Sequence, residues 1–341
     1  MRYAKILLLV MAAWASVTSA SFQNGDFELA ERAYQAGDLS QAEALYAKIR
    51  PGQPDYPEAL LRLGTIYYAT ERPVEAEKSF AEYLQIRESP EAYCLLAGAQ
   101  FNQKKFAQAY ESAKKALKLD PHYAKAYTAV GMIYAAIEDW TDSEAAYRES
   151  VRLNPADADT WYLMGRSYFL RNDFAQAREA FEKSLRLNPL QVRAYENLAL
   201  TLNLMNDPGG AEKVYQEGLR EEGLRKRPEP RLYIAYGQFL AQLGRAAESL
   251  AQFREAVRVA PGDAEARYEL ANQLFRMKLW QDAAKEAEEA LRAGGPGYRL
   301  HYLLARIYTA MGNTDAASRH AREAARLADH DSSAQPDTGK Q

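Results

Sequence analysis

The feature that most constrains the fold of this chain is an internal repeat with a period of 34 residues. The segment from Trp161 reads WYLMGRSYFLRNDFAQAREAFEKSLRLNP, and the segment that begins 34 residues earlier, at Tyr127, reads YTAVGMIYAAIEDWTDSEAAYRESVRLNP. The segment from Tyr195 keeps the same spacing, and the segment from Tyr233 resumes it after four inserted residues. Such a period is typical of arrays in which each repeat is one supersecondary unit that packs on its neighbours.

Each repeat has the pattern of two short helices joined by a turn. Large residues at its fourth, seventh and eleventh positions lie on one side of a first helix, where a second helix can pack. Gly165 and Ala177 are small, which we interpret as a close approach of the two helices. Pro155 and Pro189 end the second helix, because proline disfavours helical geometry at the residue before it. With only 19 glycines and 14 prolines in 341 residues, we expect an all-helical chain with essentially no strands.

This pattern resembles the tetratricopeptide repeat family, in which Trp, Leu-Gly, Tyr, Ala, Phe and Pro stand at fixed offsets. The matching residues are Trp161, Met164, Gly165, Tyr168, Ala177, Phe181 and Pro189, of which only Met164 departs from the family pattern. The resemblance implies an all-α fold, a right-handed superhelical solenoid of about nine helix-turn-helix repeats. The predicted repeats begin at Gln23, Pro57, Pro90, Ala124, Ala158, Val192, Pro230, Ala264 and Tyr298.

The N-terminus has the pattern of a secretory signal peptide. Arg2 and Lys5 precede an apolar run over 6–15, and small residues follow up to Ala20. The run is too short for a bilayer core, which needs about 20 apolar residues, so we predict cleavage near Ala20 and no permanent membrane span. The only cysteine, Cys94, lies too far downstream for a lipid anchor. The expected location is the periplasm or the exterior of the cell.

The ends of the chain and one insertion interrupt the repeats. The segment from Leu224 to Arg231 is basic and proline-containing; it is either a solvated linker or a contact for an acidic partner, or a hinge. The final residues are polar and cannot support a packed core. The predicted organisation is a signal peptide over 1–20, a degenerate first repeat over 21–56, repeats two to six over 57–225, an insertion over 226–229, repeats seven to nine over 230–331, and a disordered tail over 332–341.

The candidate binding residues form a second stripe on the first helices. Tyr162, Arg166 and Phe169 lie at i, i+4 and i+7, rotated away from the packing stripe. The resemblance implies that these positions line a concave groove, and tyrosine and arginine suit protein interfaces. For any single ring, packing against the adjacent first helix remains an alternative. The predicted groove residues are Tyr68, Phe101, Tyr162, Arg166, Phe169, Asn203, Tyr268, Asn272, Phe275, Tyr302 and Arg306.

No pattern in the sequence indicates catalysis. The four histidines lack metal-ligand spacing and no glycine-rich phosphate loop is present, so we expect no enzymatic activity, no metal and no cofactor. The net charge of −3 argues against nucleic acid as the partner. The fifth positions of the repeats contain no lysine, and the resemblance therefore does not extend to the carboxylate clamp of some relatives.

The sequence thus predicts a non-catalytic scaffold that binds an extended peptide or a partner protein. Exported proteins that resemble it act in envelope assembly or secretion, which makes such a role the expectation. Two alternatives stay open. Aromatic rings beside arginine and asparagine also suit sugar rings, as in a scaffold for polysaccharide export, and a purely architectural repeat would instead use its convex surface.

Overall fold

The structure is a computed structural model that describes residues 25–223 and 228–333. These residues form eighteen α-helices and contain no strand. The chain divides into two compact parts, an N-terminal unit over residues 1–167 and a C-terminal unit over residues 168–341. In the sequence, the boundary between the two units falls inside the ninth helix.

Helices α1 to α9 belong to the N-terminal unit, except that the last residues of α9 are assigned to the C-terminal unit. Their bounds are α1 25–35, α2 Leu39–Tyr46, α3 Tyr56–Ala69, α4 Pro73–Ile86, α5 Pro90–Asn102, α6 Phe106–Leu119, α7 Ala124–Ala136, α8 Trp140–Leu153 and α9 Ala158–Leu170. The remaining helices belong to the C-terminal unit. Their bounds are α10 Phe174–Leu187, α11 Val192–Leu204, α12 Pro208–Glu222, α13 Arg231–Gln242, α14 Ala246–Val259, α15 Ala264–Arg276, α16 Trp280–Arg292, α17 Gly297–Ala310 and α18 Thr314–Ser333.

The helices form nine consecutive pairs, which confirms the predicted all-α repeat fold and its approximate repeat count. The first helix of each pair starts within one residue of a predicted repeat start wherever that start is described. The second helices α6, α8 and α10 each end two residues before a proline of the LDP or LNP motif. The repeat register can therefore be read directly from local sequence signals.

In the pairs α3–α4 and α7–α8, a glycine of the first helix faces a large ring of the second helix. A Cβ atom on Gly64 would lie 2.5 Å from Cε1 of Phe80, and one on Gly131 would lie 2.7 Å from Cδ1 of Tyr147. Both rings are buried. A close approach of the kind predicted for Gly165 and Ala177 is therefore present at Gly64 and Gly131, because only a hydrogen atom leaves room for the ring.

The turn inside most pairs places one residue in the left-handed region of backbone conformation. Lys104, Glu138, Asn172 and Asn206 have φ between 59° and 63° and are spaced by the repeat period. Gly244 occupies the equivalent place with φ of 75°. Left-handed backbone is costly for residues with a Cβ, so its recurrence shows that the helix-ending turn is a required part of the repeat.

Several predictions fall on residues that the structure does not describe. These are the signal peptide over 1–20, the repeat start at Gln23, the basic residues Arg225 to Arg227, and the tail from 334 onward. Helix α18 continues through Ser333, two residues into the segment predicted to be disordered. Among the described residues, no helix has the length and apolar character needed to cross a bilayer.

Candidate functional site

In the N-terminal unit, the predicted groove residues are largely packed against neighbouring helices. The Tyr68 ring lies over Gly98 of α5, with its hydroxyl 3.3 Å from the place that a Cβ atom there would take. The Phe101 ring centroid lies 5.5 Å from that of Phe106. Both side chains are half-buried. These two rings therefore have the packing role that the sequence left open as an alternative.

Tyr162 and Arg166 form a pair on α9. Tyr162 is buried, with 9% of its surface exposed, whereas Arg166 is exposed. The guanidinium carbon of Arg166 lies 6.0 Å from the centroid of the tyrosine ring, at the outer limit of a cation–π contact. The accessible part of this pair is the arginine head, which a partner could contact while the ring supports it.

In the C-terminal unit, the predicted residues range from half-buried to exposed. The Phe169 ring centroid lies 5.7 Å from that of Phe174. Asn203 is half-buried on α11. Tyr268 is half-buried on α15 and lies beneath the guanidinium of Arg299, whose carbon is 4.1 Å from the ring centroid. Arg299 also forms an ion pair with Glu265 at 3.3 Å, so its charge is already compensated.

Three of the predicted residues meet at one cavity, which we call the terminal groove. Phe275, Tyr302 and Arg306 line it together with Tyr298, Ala305 and Thr309 of α17 and four alanines of α18, and its volume is about 750 Å³. The guanidinium carbon of Arg306 lies 4.9 Å from the Phe275 ring centroid and 5.8 Å from that of Tyr302. The two rings hold the exposed arginine in place at the edge of an apolar surface.

Two parallel rings extend the terminal groove along α17. Tyr298 and Tyr302 are 45% and 54% exposed, and their ring centroids are 6.4 Å apart at an interplanar angle of 23°. Sequence reasoning missed Tyr298 and the alanines of α18. The available signal was the run of alanines in the second helix of the last repeat.

Asn272 lies in a smaller polar cavity of about 200 Å³ between α13 and α15. Gln238 Nε2 donates a hydrogen bond of 3.0 Å to Glu269 Oε1 at this place. Burial raises the pKa of Glu269 above its usual value, although the hydrogen bond from Gln238 opposes the shift. The carboxylate is thus held at the contact between two consecutive first helices.

No metal-ligand cluster of three or more His, Cys, Asp or Glu side chains occurs in residues 25–223 and 228–333. Cys94 is half-buried, and burial raises the pKa of its thiol to about 12. A thiol in such surroundings stays protonated at neutral pH and is a weak nucleophile. Cys94 is therefore not activated for covalent chemistry.

His301 of α17 and His320 of α18 form a contact that the sequence analysis did not anticipate. Their Nδ1 atoms are 2.8 Å apart, so one ring donates a hydrogen bond and the other accepts it. Tyr308 stacks on His320, and its hydroxyl donates to Glu288 of α16. Burial lowers the pKa of His320, and so do the His301 ring and Arg319, whereas Glu288 acts in the opposite direction.

Stability of the C-terminal unit is expected to fall as the pH drops below about 6.5. The folded state binds a proton at His320 less readily than the unfolded state, so the stabilisation is complete above the unfolded pKa and is lost as pH falls through the folded pKa. The urea concentration at the midpoint of unfolding, followed by circular dichroism, should be lower at about pH 6.0 than at about pH 7.5. A His320→Gln variant should show a smaller decrease; an equal decrease would contradict this assignment.

Consecutive helical hairpins in fixed register define the chain as a helical repeat protein. Five family models of the tetratricopeptide repeat match it and together span well over half of its length. The matched residues are 33–99, 94–158, 158–190, 230–272 and 298–331. The chain belongs to the tetratricopeptide repeat family. Members of this family generally act as non-catalytic scaffolds for protein interactions.

Similar proteins include two curated relatives and one solved structure. Protein bimA of Emericella nidulans is 28% identical over 116 residues, which cover 34% of this chain and 14% of that protein. Anaphase-promoting complex subunit 3 of Schizosaccharomyces pombe is 27% identical over 132 residues, covering 38% and 20% of the two chains. A tetratricopeptide repeat protein from Parabacteroides merdae has a TM-score of 0.54 at 16% identity, covering 74% and 98%. The matches thus span a minor part of each curated relative, and the solved structure supports the fold alone.

Proposed function

We propose that this chain is a non-catalytic scaffold that binds a partner protein or peptide through the stripe of side chains on its first helices. The proposal includes export after removal of residues 1–20 and a role in envelope assembly or secretion. The observation that carries the binding proposal is the terminal groove, where Phe275, Tyr302 and Arg306 surround an apolar cavity of about 750 Å³. Aromatic and arginine side chains at the edge of such a cavity concentrate affinity at protein interfaces.

The family and the named relatives support a role in an assembly. Tetratricopeptide repeat proteins generally bind proteins, and one relative is by its name a subunit of a complex. The exposed rings of Tyr298 and Tyr302 beside the apolar lining of the terminal groove also indicate a binding site. The export part of the proposal is supported only by the charged, apolar and small-residue order of residues 1–20.

Site-specific photo-crosslinking tests the proposal. A photo-reactive phenylalanine analogue replaces Arg166 or Tyr302 on first helices, and Lys114 or Lys285 as matched exposed positions on second helices. After irradiation in the source cells, adducts to one and the same protein are expected from the first-helix positions. The N-terminus of the recovered chain is sequenced in the same experiment and should begin after Ala20; retention of Met1 would contradict export.

The other outcomes separate the alternatives. Adducts obtained only from Lys114 and Lys285 would overturn the binding proposal and favour an architectural role for the second-helix surface. An adduct that survives protease digestion and contains sugar would favour a carbohydrate-handling scaffold. The exposed, parallel rings of Tyr298 and Tyr302 are the observation that makes this second function worth testing, because flat aromatic faces suit sugar rings.

A further inference from the structure

The C-terminal unit shows how one helix pair binds the next first helix. Leu300 and Leu304 of α17 share a buried cluster with Ala271 of α15 and with Ala287 and Ala290 of α16. All three alanines have 0% of their surface exposed. Small side chains on α15 and α16 therefore form a packing surface on which α17 lies close to both helices. We call this packing surface, formed by one helix pair for the next first helix, a seat.

The terminal groove is the same seat one repeat later. Ala305 and Ala321 lie 34 residues after Ala271 and Ala287, yet Ala305 is half-buried and Ala321 is exposed. Ala325, one turn further along α18, is exposed as well. Ala324, which corresponds to Ala290, is buried with 4% of its surface exposed. No helix among residues 25–223 and 228–333 covers Ala321, so this part of the surface remains open to a partner.

The walls of the terminal groove suit a helix better than an extended peptide. The alanines of α18 offer no side-chain donor or acceptor, and the Thr309 hydroxyl already donates to the Ala305 carbonyl at 2.8 Å. An extended segment would bring its backbone N–H and C=O groups against this apolar surface without partners. A helix pairs those groups internally. The stripe from Tyr298 to Thr309 is about 16 Å long, or three helical turns.

Arg306 adds a charge preference to this seat. Among the described residues, no ion pair of Arg306 is found, and the two rings hold its guanidinium at the edge of the groove. The residue at the same position of the repeat, two repeats before Arg306, is Gln238. Its side chain donates a hydrogen bond to Glu269 of α15. Glu269 is the sixth residue of α15, the helix that packs on the seat formed by α13 and α14. A carboxylate at the sixth position of a docked helix would therefore face Arg306.

We propose that the terminal groove binds an amphipathic α-helix of a partner protein, with apolar residues against the alanines of α18 and a carboxylate paired with Arg306. The inference rests on the proposed function and specifies the partner for this site. The apolar face of the partner should resemble that of α17, where Leu300, Leu303, Leu304 and Ile307 face the preceding pair at helical spacing.

A synthetic helix taken from the chain itself is the probe. A hydrocarbon-stapled, fluorescently labelled peptide with the sequence of α15, Ala264–Arg276, carries the apolar face and the carboxylate of Glu269. Fluorescence anisotropy with the full chain should show saturable binding. Arg306→Glu in the chain should weaken binding by at least about tenfold, because two carboxylates would then face each other. Arg254→Glu, at an exposed position on α14, is the matched control and should bind normally.

Charge reversal tests whether the carboxylate of the peptide pairs with Arg306. A peptide in which Glu269 is replaced by arginine should bind the native chain about tenfold more weakly and recover affinity for the Arg306→Glu chain. Ala325→Trp, at an exposed position, should block both peptides by filling the groove. Failure of the reversed pair to recover, with circular dichroism showing folded variants, would overturn the contact with Arg306.

Other results would contradict the helical form of the bound ligand or its origin in a partner protein. Equal binding by a peptide with a central proline would show that helical structure is not required. Self-association of the full chain in sedimentation, abolished by Ala325→Trp, would identify a second copy as the occupant. Tighter binding to a chain ended at Ser333 would identify its own last residues as the occupant. If the peptide does not bind but the crosslinks from first-helix positions are still obtained, only the inference of a bound helix is contradicted. If neither result is obtained, the proposed function is contradicted as well.

Discussion

Replacing Gly237 with valine should lower the free energy of unfolding of the C-terminal unit by about 3 kcal/mol. A Cβ atom on Gly237 would lie 2.7 Å from Cε1 of Phe253, whose ring is only 2% exposed and cannot move aside. Valine has a higher helix propensity than glycine by roughly 0.5 kcal/mol, which is too little to offset the clash. The measurement is urea unfolding followed by circular dichroism.

Gly262→Ala is the matched control for this substitution. Gly262 lies in the loop between α14 and α15, and no heavy atom lies within 4 Å of the place that its Cβ atom would take. Its free energy of unfolding should stay within about 0.5 kcal/mol of that of the native chain. Because repeat proteins can unfold in parts, hydrogen exchange of α13 to α16 should show where stability is lost. Equal unfolding midpoints for the two variants would contradict the close-contact interpretation.

Phe80→Ala should destabilise the N-terminal unit by about 3–5 kcal/mol, because the ring is fully buried between α3, α4 and α5. Gly64→Ala alone should cost about 1–2 kcal/mol, since its Cβ atom would lie 2.5 Å from the Phe80 ring. In the Phe80→Ala background, however, Gly64→Ala should raise stability by about 1 kcal/mol. The ring is then absent, and alanine favours helix over glycine by about that amount.

This change of sign is the decisive result. A double-mutant cycle in urea, with all four proteins measured in the same buffer, gives the coupling between the two positions. Coupling close to zero would show that the ring and the glycine are energetically independent. Gly98→Ala is a useful comparison in the same unit, because its Cβ atom would meet the flexible end of Tyr68 at 3.3 Å and should be better tolerated.

The binding residues were predicted less completely than the fold. Phe275, Tyr302 and Arg306 do lie together at the terminal groove. Tyr162 occupies an equivalent position to Tyr302 in its own repeat, but it is buried whereas Tyr302 is 54% exposed. The sequence stripe assigns both the same orientation on a first helix. Whether a ring on that stripe is accessible depends on which helices pack beside it.

The 34-residue period by itself determined the helix pairs, their register and the presence of small residues where the two helices of a pair approach closely. These features depend on spacing within one repeat, so local sequence carries them. Only the tertiary structure decided that Arg306 rests on Phe275 and Tyr302, that the alanines of α18 form an open seat, and that His301 contacts His320. The physical reason is that exposure and pairing are set by contacts between separate helices, and a repeat pattern is the same whether its next neighbour is present or absent.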